Sequence, residues 1–186
     1  MEESLKILIV DDDEVDRMVF ARILSKINKK IEVFEAIDGF ETLKILNEKN
    51  FDCIFLDYRL PKLEGLEVLK QIRKMEIKTP VIIITGQGDE NIVSEIFKFG
   101  AEDYLPKSIL SPESVLKSLE YAIKSNKTKE ELKWLASFPE KSPIPIVEIN
   151  YDGKITYTNP MAKENFPSLE KNVLSHPFLY GIFDIV

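Results

Sequence analysis

Five short apolar runs, at residues 6–10, 31–36, 51–56, 81–85 and 103–105, alternate with stretches of helical periodicity. Several of the runs lack polar alternation, as strands buried on both faces of a parallel sheet do. Between them Val15, Val19, Ile23 and Ile27 step by four. Leu66, Leu69 and Ile72 follow one helix face, and so do Ile92, Ile96 and Phe99. Gly100 stands where a C-cap would end the fourth helix. Ser111, Pro112 and Ser114 open the fifth, and 112–137 reads as one long helix or two nearly continuous ones. Five strand-then-helix units imply an α/β doubly wound domain.

The texture changes after Phe138. Pro139, Pro143 and Pro145 are expected to break any helix. Residues 144–150 and 155–158 read as two strands around the turn Tyr151-Asp152-Gly153-Lys154, a hairpin signal. Residues 161–166 suit one or two helical turns. The expected division is 1–124 for the α/β domain, 125–137 for a linker helix and 138–186 for a smaller α+β segment.

The strand ends carry the chemistry. The first strand runs into Asp11, Asp12, Asp13 and Glu14, the third into Asp57, the fourth finishes at Thr85 and the fifth runs into Lys107. Ligands of an open parallel sheet bind at the carboxyl ends of its strands. Carboxylates, a hydroxyl and an ammonium are therefore expected to converge there. Carboxylates gathered in this way repel, and they coexist when a cation joins them. An oxygen-only set suits Mg²⁺ or Mn²⁺. A carboxylate can take up a phosphoryl group as an acyl phosphate, and an ammonium can neutralise the phosphoryl oxygens.

The segments KILIVDDDEVDR, FDCIFLDYRLPKLEG, PVIIITGQGDE and GAEDYLPKS resemble, in order and spacing, the four signature blocks of response-regulator receiver domains of two-component systems. The resemblance covers about residues 4–124. It implies a flavodoxin-like five-stranded parallel sheet of order 2-1-3-4-5, with Asp57 as phosphoacceptor. It also implies a metal held by Asp12 directly, Asp11 through water, Asp57 and the backbone carbonyl of Arg59. Thr85 becomes the switch hydroxyl, Tyr104 the switch aromatic and Lys107 the phosphoryl-neutralising lysine. Asp13 and Glu14 read instead as charges that open helix one and complement its dipole. One position departs from the pattern. The family's Lys-Pro step, with its cis bond, is Lys107-Ser108 here, and a cis bond before a non-proline costs about 3–4 kcal/mol. The cis or trans state of that bond stays open at this point.

The segment FPEKSPIPIVEINYDGKITYTNPMAKENF resembles the opening of a PAS domain, with its first two strands and the Asn159-Pro160 step into its first helix. A full PAS domain has about twice this length, so the chain reads as a piece of a longer sensor-regulator. The expected function is a Mg²⁺-dependent phosphorylation switch. It is fed by a sensor histidine kinase or phosphotransfer protein and relays its state to a PAS-containing output. A PAS-type ligand sensor with the receiver as a secondary module is the alternative. Self-association through the helix 4–strand 5–helix 5 face or through the PAS-like part stays open.

Composition excludes other classes. The net charge of −7 and the absence of a basic stripe argue against nucleic acid. No apolar run reaches the roughly 20 residues of a membrane span, and the start lacks the pattern of a secretion signal, so a cytoplasmic location is expected. The lone Cys53 sits in an apolar run as a structural thiol. A flavin carrier of the same fold needs free backbone amides after strand one, where Asp11–Glu14 would repel phosphate. His176 reads as a surface or partly packed residue, and Trp134 as a packing residue of the linker helix.

Overall fold

The computed structural model describes residues 4–86, 92–152 and 154–167. The chain divides into two units, Met1–Thr128 and Lys129–Val186. The first contains β1 (Leu5–Val10), α1 (Glu14–Ser25), β2 (Ile31–Ala36), α2 (Gly39–Glu48), β3 (Cys53–Asp57), α3 (Gly65–Lys74), β4 (Val81–Thr85), α4 (Val93–Lys98), β5 (Asp103–Pro106) and the beginning of α5 (Pro112–Lys141). Its strands form one parallel sheet of order β2-β1-β3-β4-β5.

Strand side chains point alternately to the two faces, and the core divides accordingly. Ile7, Ile9, Cys53, Phe55, Ile82, Ile84 and Leu105 face one layer, with Phe20 and Leu24 of α1 and Val115, Leu119 and Ala122 of α5. Leu8, Val10, Ile54, Leu56, Val81 and Ile83 face the other, with Leu46 of α2, Leu69 and Ile72 of α3 and Ile96 of α4. Burial pushes the Cys53 thiol well above its ordinary value, as befits a structural residue.

The expected core stripe of α1 is corrected. Val15 and Val19 are 65% and 49% exposed, and the buried row is Arg17, Phe20, Leu24 and then Ile27. The Phe20 and Phe55 rings meet at 4.6 Å between centroids, which sets the rotation of the helix. That rotation turns Arg17 inward, where its Nε donates to Glu35 at 2.9 Å and its Nη1 to the Asp11 carbonyl at 2.8 Å. A buried arginine is tolerated because these charged and carbonyl partners occupy it.

Caps fix the helix entries. Asp13 accepts from the amides of Val15 and Asp16 at the start of α1. Asp38 and Glu41 reciprocate at α2, Asp38 accepting from the Glu41 amide and Glu41 from the Ile37 amide. Ser111 and Ser114 exchange bonds at α5. Gly100 follows α4 at φ 94°, a conformation suited to glycine. At the opposite edge of the sheet from the acidic loops, Arg73 binds the carbonyls of Gly100, Ile77 and Thr79 and the carboxylate of Glu102.

α5 is one helix of 30 residues, and it passes Pro139 to end at Lys141. The expected break at Pro139 is therefore two residues early. A proline this close to the C-terminal end forfeits a single ladder bond, so the last turn tolerates it. Trp134 is 65% exposed and meets the Phe138 ring at 6.3 Å, so it packs along its own helix rather than into a core.

In the second unit β6 (Val147–Ile149) and β7 (Ile155–Thr158) pair antiparallel, and α6 (Pro160–Asn165) follows. Asn159 organises it. The side chain is fully buried, and its Oδ1 accepts from the amides of Ile146 and Ala162, each at 2.9 Å. Its Nδ2 donates to the carbonyls of Pro139 and Ile144 at 3.0 and 2.9 Å. Both donors and both lone-pair sites are thus used. His176 lies outside the described residues. Asn159→Ala should remove about 3 kcal/mol or more of local stability, because it strands buried polar groups. Hydrogen exchange of the Ile146 and Ala162 amides is the measurement. Faster exchange there with unchanged protection in β1 and β3 is expected, and unchanged Ala162 protection would refute the role given to Asn159.

Candidate functional site

The carboxyl ends of β1, β3 and β5 meet above the layer that holds α1. By strand parity Asp11, Asp57 and Lys107 continue the rows of Ile9, Phe55 and Leu105, which all face this side. The backbone turns that follow are fixed locally. Asp11 accepts from the Asp13 amide at 2.9 Å, and Asp57 accepts from the Arg59 amide at 3.1 Å. Gly65 makes the close passage of α3 under the acceptor strand workable: a Cβ there would lie 2.2 Å from the Asp57 carbonyl oxygen.

Lys107 is the cation at the centre. Its Nζ donates to Asp57 Oδ2 at 2.7 Å, to Asp11 Oδ2 at 2.8 Å and to Asp16 Oδ2 at 2.7 Å. It occupies a 3-10 turn, Lys107–Ile109, directly after β5. None of the described peptide bonds is cis, so the Lys107–Ser108 bond is trans. Asp11, Asp12 and Asp57 each offer an oxygen, and these atoms lie within 4.8 Å of one another, with Asp11 and Asp57 buried and Asp12 exposed. A set of three carboxylate oxygens fits a hard divalent cation.

One ammonium shared by three carboxylates satisfies the lysine more than it satisfies the acids. Burial lowers the Lys107 value, but the bonds to Asp11, Asp16 and Asp57 outweigh it and hold the group well above its ordinary range. Burial raises Asp57, and the Asp11 charge adds to it, while Lys107 and the Arg59 amide pull down. The balance pushes Asp57 up to about 6.

The sequence-derived residues do not all meet. Asp11, Asp12, Asp57 and Lys107 gather as one cluster. Arg59 contributes its amide to Asp57. Thr85 is buried at the end of β4, yet its row, Val81 and Ile83, faces the opposite layer, and its hydroxyl makes no hydrogen bond to Asp57 or Lys107. Tyr104 lies on that same opposite face, half-buried, its ring edge-on to Phe97 at 6.2 Å. Asp16 and Arg17 were not legible as site residues. The available signal was position: both occupy the first turn and a half of a helix that starts at the acidic loop, and Asp16 leans back over the strand ends. Below the cluster lies a cavity of about 150 Å3, lined by Ile9, Phe20, Phe55 and Ile84, with Asp16 and Lys107 also in its wall.

An aspartate whose folded value exceeds its unfolded value of 3.8 binds its proton more tightly when folded. Its contribution to stability is full below 3.8 and is lost as pH rises through about 6. Asp57→Asn stays neutral throughout. Without divalent metal it should be more stable than wild type at pH 7.5 by roughly 1–3 kcal/mol. The advantage should fade as pH falls from about 6 towards 4. Urea midpoints across this range test it, and an advantage that grows on acidification would refute the account.

Comparison with known proteins agrees with this geometry. The family described as response regulator receiver domain matches residues 7–120. The transcriptional regulatory protein SrrA of Staphylococcus aureus is 36% identical over 114 residues, which are 61% of this chain and 46% of that protein. The chain thus spans about half the length of the curated relatives it matches. Among solved structures, the receiver domain of the Francisella response regulator 1452 superposes with a TM-score of 0.57 at 31% identity, covering 66% of this chain and 98% of that one. A response regulator receiver domain protein from Clostridium thermocellum gives 0.61 at 30% identity, with 67% and 98% covered. NtrX from Brucella abortus gives 0.64 at 30%, with 72% of this chain and 30% of that one covered. Receiver domains of this family interact with sensor histidine kinases or phosphotransfer proteins and bind Mg²⁺ at an acidic pocket. With its 2-1-3-4-5 sheet and its acidic cluster at the strand ends, the chain belongs to the response regulator receiver domain family.

Proposed function

We propose that the chain is a phosphorylation switch in which Asp57 accepts a phosphoryl group from a phosphohistidine donor. The observation that carries this is the 2.7 Å contact of Lys107 Nζ with Asp57 Oδ2, beside the oxygen set of Asp11, Asp12 and Asp57. A carboxylate oxygen of Asp57 forms the new bond to phosphorus as the donor's nitrogen–phosphorus bond breaks. Lys107 neutralises charge on the phosphoryl oxygens, and the strand ends hold the nucleophile rigidly in place. Asp12 and Asp57, with Asp11 through water and the Arg59 carbonyl, would hold Mg²⁺ or Mn²⁺. When bound, that cation supplies further neutralisation of the transferring group. Exposed Val15, Met18 and Val19 give α1 an apolar surface next to Asp16, suited to a donor that docks by a helical face.

The output reading extends this. Residues 1–124 act as the receiver, 125–137 as a linker helix and 138–186 as the beginning of a PAS-like segment. The β6–β7 pair and the Asn159-capped α6 support the last assignment. Thr85 has an unused hydroxyl, and Tyr104 shares its sheet face. Turning of the Thr85 hydroxyl to a phosphoryl oxygen would let the Tyr104 ring move inward and change the surface of α4, β5 and α5. Exposed Phe97, Ile109 and Tyr121 make that surface a site for self-association.

Three measurements bear on these claims. Incubation with a small phosphodonor and Mg²⁺ should add one phosphoryl group to wild type and none at this position in Asp57→Asn. Equal labelling of the two proteins would end the assignment. Asp12→Ala should weaken Mg²⁺ binding by at least about tenfold, through loss of a direct ligand, and an unchanged Mg²⁺ titration would remove Asp12 from the ligand set. Beryllofluoride should shift the NMR signals of Tyr104 and of α4. Silence there, with shifts confined to the acidic loops, would exclude the relay.

A further inference from the structure

An ammonium has three hydrogens to donate and no lone pair, and those of Lys107 are all committed, to Asp11, Asp16 and Asp57. Asp11 and Asp57 belong, with Asp12, to the oxygen cluster. Asp16 does not. It comes from the first turn of α1, and its side chain is 44% exposed, against 8% for Asp11 and 6% for Asp57. We propose that Asp16 is a positioning residue that holds one hydrogen of Lys107 in the unphosphorylated protein and competes for it with a phosphoryl oxygen on Asp57. This rests on the phosphorylation reading above.

The competition follows from supply. A phosphoryl group brings close to two negative charges and three strong acceptor oxygens. Phosphorylation removes the charge of the Asp57 carboxylate, so the hydrogen of Lys107 held there passes to one phosphoryl oxygen. A second phosphoryl contact requires Asp11 or Asp16 to yield. Releasing buried Asp11 would leave a charge unpaired away from water, which is strongly unfavourable. Asp16 returns to solvent at little cost, since half-exposed ion pairs contribute little. The 150 Å3 cavity beside both side chains gives the lysine stem room to shift without repacking the core. The bond to Asp11 still aims the ammonium at the phosphoryl group once Asp16 is gone. Asp16 also places a like charge near the incoming group. Both effects make Asp16 oppose the phosphorylated state.

The test uses beryllofluoride with Mg²⁺ on the full chain, in wild type, Asp16→Asn, Lys107→Ala and the double variant. Asp16→Asn should bind the mimic roughly two- to fivefold more tightly, the range of an exposed ion pair. The gain should shrink in the Lys107→Ala background, where only the like-charge repulsion is left. Without mimic, the NMR signal of the Lys107 ammonium should shift in Asp16→Asn, a change that a purely structural role would not produce. Equal or weaker binding by Asp16→Asn, or the same gain without Lys107, overturns the proposal. Wild type that is folded but takes up no mimic would overturn the phosphorylation reading itself, which keeps the two failures distinct.

Discussion

Lys107 carries one positive charge into a group of carboxylates that cannot neutralise one another. Asp11, Asp16 and Asp57 all bond to it, and Asp12 adds a further negative charge at the rim. Everything that surrounds the cluster serves to keep these charges together against their repulsion. The strands end in register so that Asp11 and Asp57 stand on neighbouring strands, and Lys107 reaches them from the end of β5, with β4 between. Arg17 bonds to the Asp11 carbonyl, and the Asp13 and Arg59 amides each bond to one carboxylate oxygen. The packed layers beneath then supply the stability that the acidic edge spends.

That arrangement explains what could be read from the sequence and what could not. The strands were legible because a parallel sheet buried on both faces leaves runs such as 54–56 and 81–84 without polar alternation. Asp57 and Lys107 were legible because strand ends are where a doubly wound sheet binds ligands. α1 misled because it offers two apolar rows. The row through Val15 and Val19 is purely hydrophobic, whereas the true row passes through Arg17, a residue buried only because Glu35 and a carbonyl stand opposite. No local pattern reveals those partners. Asp16 escaped for the same reason, since its partner lies 91 residues away in sequence. Pro139 misled because a proline removes one ladder bond and can bend a helix without ending it.

The second unit follows a different logic. Its strands are short, three and four residues, and a hairpin of that size has little stability of its own. A single amide side chain, Asn159, ties the unit together by bonding four backbone groups from three separate segments. The Asn-Pro pair was visible in the sequence. Its reach back to Pro139 and Ile144 was not, since those bonds depend on how the chain folds over it.

The sheet also acts as a partition. Its α1 side carries the charged cluster and the exposed apolar residues next to it, and its opposite side carries Thr85, Tyr104 and α4. In the proposed switch, writing and reading therefore take place across a wall one strand thick. In that reading a donor seated on α1 leaves the α4 part of the output surface open on the far side, whereas its α5 part shares the donor's side. Substitutions on α1 that retune donor choice would then leave Tyr104 and α4 chemically untouched, and those two specificities are free to drift independently.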